Sequence, residues 1–199
     1  MTTKSMEVFN STITKEEINA LPVESFSGRI IVIQTEADAD KAVAYLFRYP
    51  LVGFDTETRP SFKKGQYNKV ALMQISTEDT CFLFRLNYMG IPASLADFLC
   101  NTQTKKIGLS LRDDFNALRK RMNIVPANFV DLQHCVKSFG IEELGLQKIY
   151  AILFGKKISK SQRLTNWDAD VLTESQKKYA ALDAWACLQI YKLLSKKGI

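Results

Sequence analysis

Two acids stand one residue apart inside an otherwise apolar run, "LVGFDTETRP", residues 51–60. Extended backbone alternates its side chains, so Val52 and Phe54 share one face while Gly53, Asp55 and Glu57 share the other. Two ionised carboxylates on one face of a buried strand are costly to desolvate unless something positive neutralises them. Lysine or arginine could do so. An all-oxygen Asp-x-Glu pair equally suits a hard divalent cation such as Mg²⁺ or Mn²⁺, which would call on further carboxylates at the edges of other elements.

Two later segments offer such groups. In "SLRDDFNALRKRM", helical spacing puts Leu111, Phe115, Leu118 and Met122 on one face. Asp113 then lies opposite that face, in solvent, and Asp114 at its edge beside Leu118, where it can point into a crevice. The alternative is that both acids simply charge the start of the helix favourably. In "LTESQKKYAALDAWACLQIYKLL", Tyr179 and Asp183 are spaced i, i+4 and fall on the same face one turn apart. Ala180, Ala181 and Ala184 keep their surroundings small enough for another backbone or a substrate to approach. The plainer alternative is a core tyrosine and a chance acid.

The elements that must position these groups are legible in outline. A chain of 199 residues fits one domain with a substantial core. Residues 1–28 read as an N-terminal arm with one short helix, started by a Thr14/Glu17 capping box and limited by Pro22. Residues 29–199 then form the main domain. "GRIIVIQT" reads as a strand and "EADADKAVAYLFRY" as an amphipathic helix. Three strands follow, "LVGFDTE", "KVALMQIST" and "CFLFRL", the last two joined by a turn as a hairpin. "SLADFLC" is expected to be helical, "KKIGLS" a strand and "LRDDFNALRKRM" a helix. A helix is read over "IEELGLQKIYAILF", and a Thr173/Gln176 capping box starts a long last helix to about Leu194. Hairpin strands first and strand–helix alternation later imply an α/β domain with a mixed central sheet flanked by helices.

Composition narrows the function classes. The net charge of +6 and pI of about 9.1 are compatible with a polyanionic partner without requiring one. Cys81, Cys100, Cys135 and Cys187 are widely spaced, with no CxxC and no nearby histidine pair. They read as small core hydrophobes in a reducing compartment. No signal-like or membrane-spanning apolar run is present, which points to an intracellular, cytoplasmic protein with no membrane partner.

Taken together, "GFDTET", "IGLSLRDDFNAL" and "YAALD" resemble, in order and approximate spacing, the three motifs of the DEDD superfamily of 3′-5′ exonucleases. "KVALMQIST…CFLF" and the last 35 or so residues look most like the Werner-syndrome-type exonuclease domain, with ribonuclease D as a further relative. The resemblance runs from about Arg29 to the C-terminus. It implies a ribonuclease H-like fold and removal of nucleotides from 3′ ends. It makes Asp55, Glu57, Asp114 and Asp183 the metal-binding carboxylates, with Tyr179 beside them. Asp55, Glu57 and Asp183 would hold one ion, and Asp55, with Asp114 acting through water, a second. Lys178 stands where the histidine branch of the superfamily keeps its histidine, so the tyrosine branch is implied. His134, the only histidine, is expected to be a local structural or surface residue.

Phosphodiester hydrolysis of this kind uses two divalent ions, Mg²⁺ or Mn²⁺, to activate water and support the departing 3′ oxygen. With a reference pKa near 10, Tyr179 is a poor base at pH 7 and is expected to orient the attacking water. The loop "GKKISKSQR" carries Lys156, Lys157, Lys160 and Arg163 without an acid, so it is either a solvated basic loop or a phosphate-tracking strip. Phe54, Leu72 and Met73 are candidates for apolar walls near the terminal base, but at least two of them are expected to be packed in the core. Gln74 is expected to be satisfied internally, with contact with the site as the alternative, and Trp167 and Trp185 to be structural. The expected activity is 3′-5′ hydrolysis of DNA, with RNA 3′-end trimming as the near alternative and a catalytically silent nucleic-acid-binding module as the alternative of another class. Any helicase or polymerase partner would be a separate chain.

Overall fold

The computed structural model describes residues 9–63, 65 and 67–198. Residues 1–8, the start of the expected arm, lie outside that set. Six strands form one sheet in the order β1-β4-β3-β2-β5-β6: β1 (Arg29–Ile33), β2 (Leu51–Thr58), β3 (Val70–Ser76), β4 (Thr80–Arg85), β5 (Lys105–Gly108) and β6 (Phe129–Asp131). The meander β2-β3-β4 is antiparallel, whereas β1 joins β4 and β5 joins β2 in parallel. The sheet is therefore mixed, as the order of hairpin and crossover segments implies.

Among the described residues there are eight helices: α1 (Lys15–Ala20), α2 (Glu36–Leu46), α3 (Leu86–Met89), α4 (Ala93–Cys100), α5 (Leu111–Arg119), α6 (Leu132–Lys137), α7 (Leu146–Phe154) and α8 (Glu174–Lys197). Both expected capping boxes are formed, at Thr14/Glu17 and Thr173/Gln176. Short α3, α6 and β6 have too little periodic pattern to stand out in the sequence. The helix read from Ile141 begins only at Leu146, after Gly145.

The sheet separates two apolar cores. On one face Val52, Phe54, Met73 and Ile75 pack with residues of α2, α4 and α5. On the other Leu72, Leu83 and Ile107 pack with residues of α6, α7 and α8. Cys81, Cys135 and Cys187 are buried as expected, but Cys100, the last residue of α4, is exposed. Trp167 is fully buried. Trp185 packs on Phe26 and donates its indole N–H to the Glu78 carbonyl at 3.1 Å. Among the described residues no helix is long and apolar enough to cross a membrane.

The described part of the expected arm, from Phe9 on, is tied to the rest of the chain. Phe9 packs against Phe139, the Glu142 amide donates to the Ser11 carbonyl, and Glu24 accepts from the Tyr150 hydroxyl at 2.8 Å. A single isolated bridge then pairs Val23 with Lys157.

One contact sets the distance between α8 and the sheet. A Cβ added at Gly53 would lie 1.9 Å from the Ala184 carbonyl oxygen, a backbone atom that cannot swing aside. Only a hydrogen side chain lets α8 cross β2 this closely, and buried Ala180, Ala181 and Ala184 keep the helix side of the contact equally thin. Gly53→Ala is expected to force the two elements apart at a cost of about 2–3 kcal/mol, a fall in Tm of about 4–12 °C. Thermal melts of the two proteins check this; an unchanged Tm would mean that the contact is not limiting.

Candidate active site

The close crossing of α8 over β2 brings Asp183 down beside the acids of the strand. Carboxylate oxygens of Asp55, Glu57 and Asp183 all lie within 4.8 Å of one another. Asp55 is half-buried, and Glu57 and Asp183 are 9% and 7% exposed. Asp183 Oδ1 is buried with no hydrogen-bond partner. Three converging carboxylate oxygens with an orphaned one among them fit a hard divalent cation, which takes oxygen ligands and rewards this charge density.

Asp114 comes from the other side. It is half-buried on α5, whereas Asp113 is exposed, as the helical-face argument requires. Thr56, whose side chain alternates away from Asp55 and Glu57, donates its hydroxyl to Asp114 Oδ1. Asp114 thus stands outside the trio, yet close enough for its charge to act on Asp55 and Glu57. Its position is fixed by a residue the sequence did not single out. Asp131, at the end of β6, accepts from the Ser110 and Leu111 amides at 3.1 and 2.9 Å while capping α6 through the Gln133 amide at 3.0 Å. Ser110 sits at φ 58°, a left-handed conformation uncommon outside glycine, and Gln133 donates to its hydroxyl at 2.8 Å. The signal for Asp131 was an N-cap aspartate after two apolar residues, "FVDLQ".

The electrostatics follow from burial first and crowding second. Desolvation, then the charges of Glu57, Asp183 and Asp114, pushes Asp55 well above the usual carboxylate range. Desolvation and the charges of Asp183 and Asp114 raise Glu57 to about 9, opposed by Arg163. Desolvation raises Asp183 to about 7 against the Tyr179 hydroxyl and Lys160. It raises Asp114 to about 7 against the Thr56 hydrogen bond. Burial and the adjacent Asp183 and Glu57 push the Tyr179 phenol upward, so it stays protonated at every physiological pH. Its ring lies 6.0 Å from that of Trp167, which backs it from the core.

The other expected contacts divide. Lys160 and Arg163 are exposed, and their charges bear on Asp183 and Glu57. Lys156 pairs with Glu24 at 3.1 Å, and Lys157 donates to the Asn19 carbonyl at 2.6 Å, so both are engaged with the arm. Phe54 and Met73 are core residues, as expected for at least two of the three apolar candidates, and form no wall at the site. Both are fully buried on the face of the sheet opposite the acids, with Phe54 edge-on to Phe129 at 5.0 Å. Leu72 does face the acid side, opposite Glu57 across the strands, but is fully buried under α8. Gln74 departs from expectation: it pairs with Asp55 across the strands, fully buried, with both side-chain polar atoms unpartnered. His134 is exposed on α6, away from the trio.

A mixed sheet, a closing helix laid across it and acids gathered where the two cross define a ribonuclease H-like 3′-5′ exonuclease architecture. The exonuclease domain of Aedes aegypti Nibbler superposes with a TM-score of 0.80 at 23% identity, covering 88% of this chain and 92% of that one. Escherichia coli RNase D does so with a TM-score of 0.76 at 22% identity, over 86% and 45%. The profile of the 3′-5′ exonuclease family matches residues 30–199, and the chain belongs to that family, within the DEDD superfamily. It is 32% identical over 188 residues to the mouse bifunctional 3′-5′ exonuclease/ATP-dependent helicase WRN. It is 31% identical over 189 residues to an Arabidopsis thaliana 3′-5′ exonuclease. The matches cover 89% and 87% of this chain but only 13% and 66% of those two proteins.

These shifts fix a sign for the pH dependence of stability. Folded-state values near 7 for Asp114 and Asp183 and about 9 for Glu57 lie above the unfolded range of about 4. The metal-free fold therefore binds more protons than the unfolded chain, and its stability falls as pH rises from about 4 through 7 to 9. Melts in EDTA should show Tm falling over that window, and added Mg²⁺ or Mn²⁺ should raise Tm more at pH 8 than at pH 5. A metal effect independent of pH would contradict the assignment.

Proposed function

We propose that the protein is a metal-dependent 3′-5′ exonuclease of the tyrosine branch, hydrolysing the terminal phosphodiester of DNA and releasing nucleoside monophosphates. The observation that carries this reading is the convergence of Asp55, Glu57 and Asp183 with Tyr179 beside them and Asp114 held at the edge. Asp55, Glu57 and Asp183 would hold one divalent ion, and Asp55 with Asp114 a second. When bound, such ions, Mg²⁺ or Mn²⁺, activate water and neutralise charge developing on the phosphate oxygens.

The chain's own groups have distinct tasks. The protonated Tyr179 hydroxyl can donate to and orient the attacking water but cannot take its proton at neutral pH. Lys160 and Arg163 offer positive charge at the rim, placed to draw a phosphate backbone towards the acids. The buried carboxylates also argue for catalysis over mere binding. A module that only held nucleic acid would gain nothing from acids that repel phosphate and are costly to bury.

DNA is the first reading because the motifs look most like the Werner-syndrome-type exonuclease domain; the relatives at 32% and 31% identity, the WRN protein and a 3′-5′ exonuclease, support the 3′-5′ direction. RNA is the second reading, supported by the ribonuclease D of Gluconacetobacter diazotrophicus at 28% identity over 84% of this chain. Degradation of 3′- and 5′-labelled DNA and RNA oligonucleotides with Mg²⁺, Mn²⁺ or EDTA tests both. Stepwise 3′ shortening that needs metal and is lost in Asp55→Asn is the expected result. The ratio of DNA to RNA rates assigns the substrate, and binding without cleavage would point to the silent module.

Tyr179→Phe keeps the ring against Trp167 and removes only the hydroxyl. It is expected to lower kcat about 10- to 100-fold while metal affinity changes little. Calorimetric metal titration alongside the rate assay checks this; abolished metal binding would count against a water-orienting role.

A further inference from the structure

The β2–β3 connection leaves the sheet one residue after Glu57, and its composition is unlike that of the other loops. Phe62 is 85% exposed and Tyr67 78%, the two most exposed aromatic side chains among the described residues. Single exposed apolar residues are ordinary. Here two large rings stand within five positions of each other, on a segment that also carries exposed Arg59, Lys63 and Lys69. No acid occurs between Glu57 and Glu78.

The rings are framed, not loose at both ends. Asn68 Nδ2 donates to the Arg59 and Pro60 carbonyls at 2.8 and 3.4 Å, closing the base of the connection. Lys120 Nζ, at the end of α5, lies 4.6 Å from the centre of the Tyr67 ring. The neighbouring Arg121 Nε donates to the Val70 carbonyl at 2.5 Å, tying that end of α5 to the start of β3. The connection therefore spans between the strand that carries Asp55 and Glu57 and the helix that carries Asp114. Phe62 is five positions after Glu57, so its Cα lies at most about 18 Å from that of Glu57.

We propose that Phe62 and Tyr67 form a stacking platform for the bases of a single strand just upstream of the 3′ end, with Arg59, Lys63, Lys69 and Lys120 following its phosphates. The inference rests on the exonuclease reading for its direction, since the acids are where that end must arrive. Exposed rings flanked by cations are what a single strand requires. Every base has a stackable face, and the cations neutralise the backbone without selecting sequence. A paired duplex has its bases already stacked and cannot use the rings. The substrate class that follows is a 3′ single-stranded tail, read without regard to sequence and tolerant of either sugar.

Binding of 5′-fluorescein-labelled dT12 and U12 in EDTA, followed by anisotropy, tests the platform without cleavage. Phe62→Ala and Tyr67→Ala are each expected to weaken binding about tenfold, and Phe62→Tyr and Tyr67→Phe to bind like the parent. With Mg²⁺, the ratio of kcat/KM on dT12 to that on the p-nitrophenyl ester of thymidine 5′-monophosphate should fall at least tenfold in the double alanine variant. That ester carries a single nucleotide and so no upstream base for the rings to stack. Alanine variants that bind dT12 within twofold of the parent would overturn the platform, as would equal losses on both substrates. A parent protein that binds dT12 through these rings but cleaves nothing would refute the exonuclease reading and leave the platform standing.

Discussion

The whole site hangs on the distance between one strand and one helix. Gly53 has no side chain, the Ala184 carbonyl occupies the space one would fill, and the residue beside Ala184 is Asp183. Because Gly53 lies on the same face of β2 as Asp55 and Glu57, closing that gap moves the three carboxylates together. Any larger residue at 53 would lift Asp183 from its partners before touching the acids themselves. The geometry of the metal ligands is thus a by-product of backbone contact between two rigid elements, which is why it can be held without ligands on mobile loops.

Bringing the acids together creates a cost that the rest of the fold manages unequally. Burial raises all four carboxyls, repulsion from the other acids of the site adds to it at Asp55 and Glu57, and the opposing side-chain influences are few: Arg163 towards Glu57, Lys160 and the Tyr179 hydroxyl towards Asp183, Thr56 towards Asp114. Among the described residues no cation forms an ion pair with the trio, so the excess negative charge is left for a bound cation to neutralise. Asp114 is treated differently. Its own hydrogen bond and the Asp131 clasp on the start of α5 hold it apart, a carboxylate kept near the others but not among them. Gln74, buried beside Asp55 with both amide atoms unpartnered, is a further local cost at the same spot.

Much of this was legible in the residues. The Asp-x-Glu alternation fixed the face of Asp55 and Glu57, the helical wheel separated Asp114 from Asp113, and the three alanines around Asp183 announced a close approach. Which backbone would approach was not readable, because nothing local links Ala184 to Gly53, 131 positions away. Which of the apolar candidates would be core was not readable for a related reason. Phe54 and Met73 alternate to the far face, and on a strand covered on both sides apolar residues look alike whichever core they enter. Gln74 was expected to be satisfied because most buried amides are. The short β6 escaped because three residues carry no periodicity, and with it went Asp131. The basic loop read as one strip, yet its first two lysines face a different task from Lys160 and Arg163. Only the arm, distant in sequence, makes that division.

That division gives the arm an influence out of proportion to its size. Glu24 and the Pro22–Lys157 backbone pairing hold the first half of the 155–163 loop, and the second half carries the two cations whose charge reaches the carboxylates. By anchoring the loop, the described part of the arm sets where positive charge sits at the rim. A peptide outside the sheet thus acts as a remote trim on the protonation of groups inside it. The ionisation state of the centre and the fold that surrounds it are accordingly adjustable by separate parts of the chain.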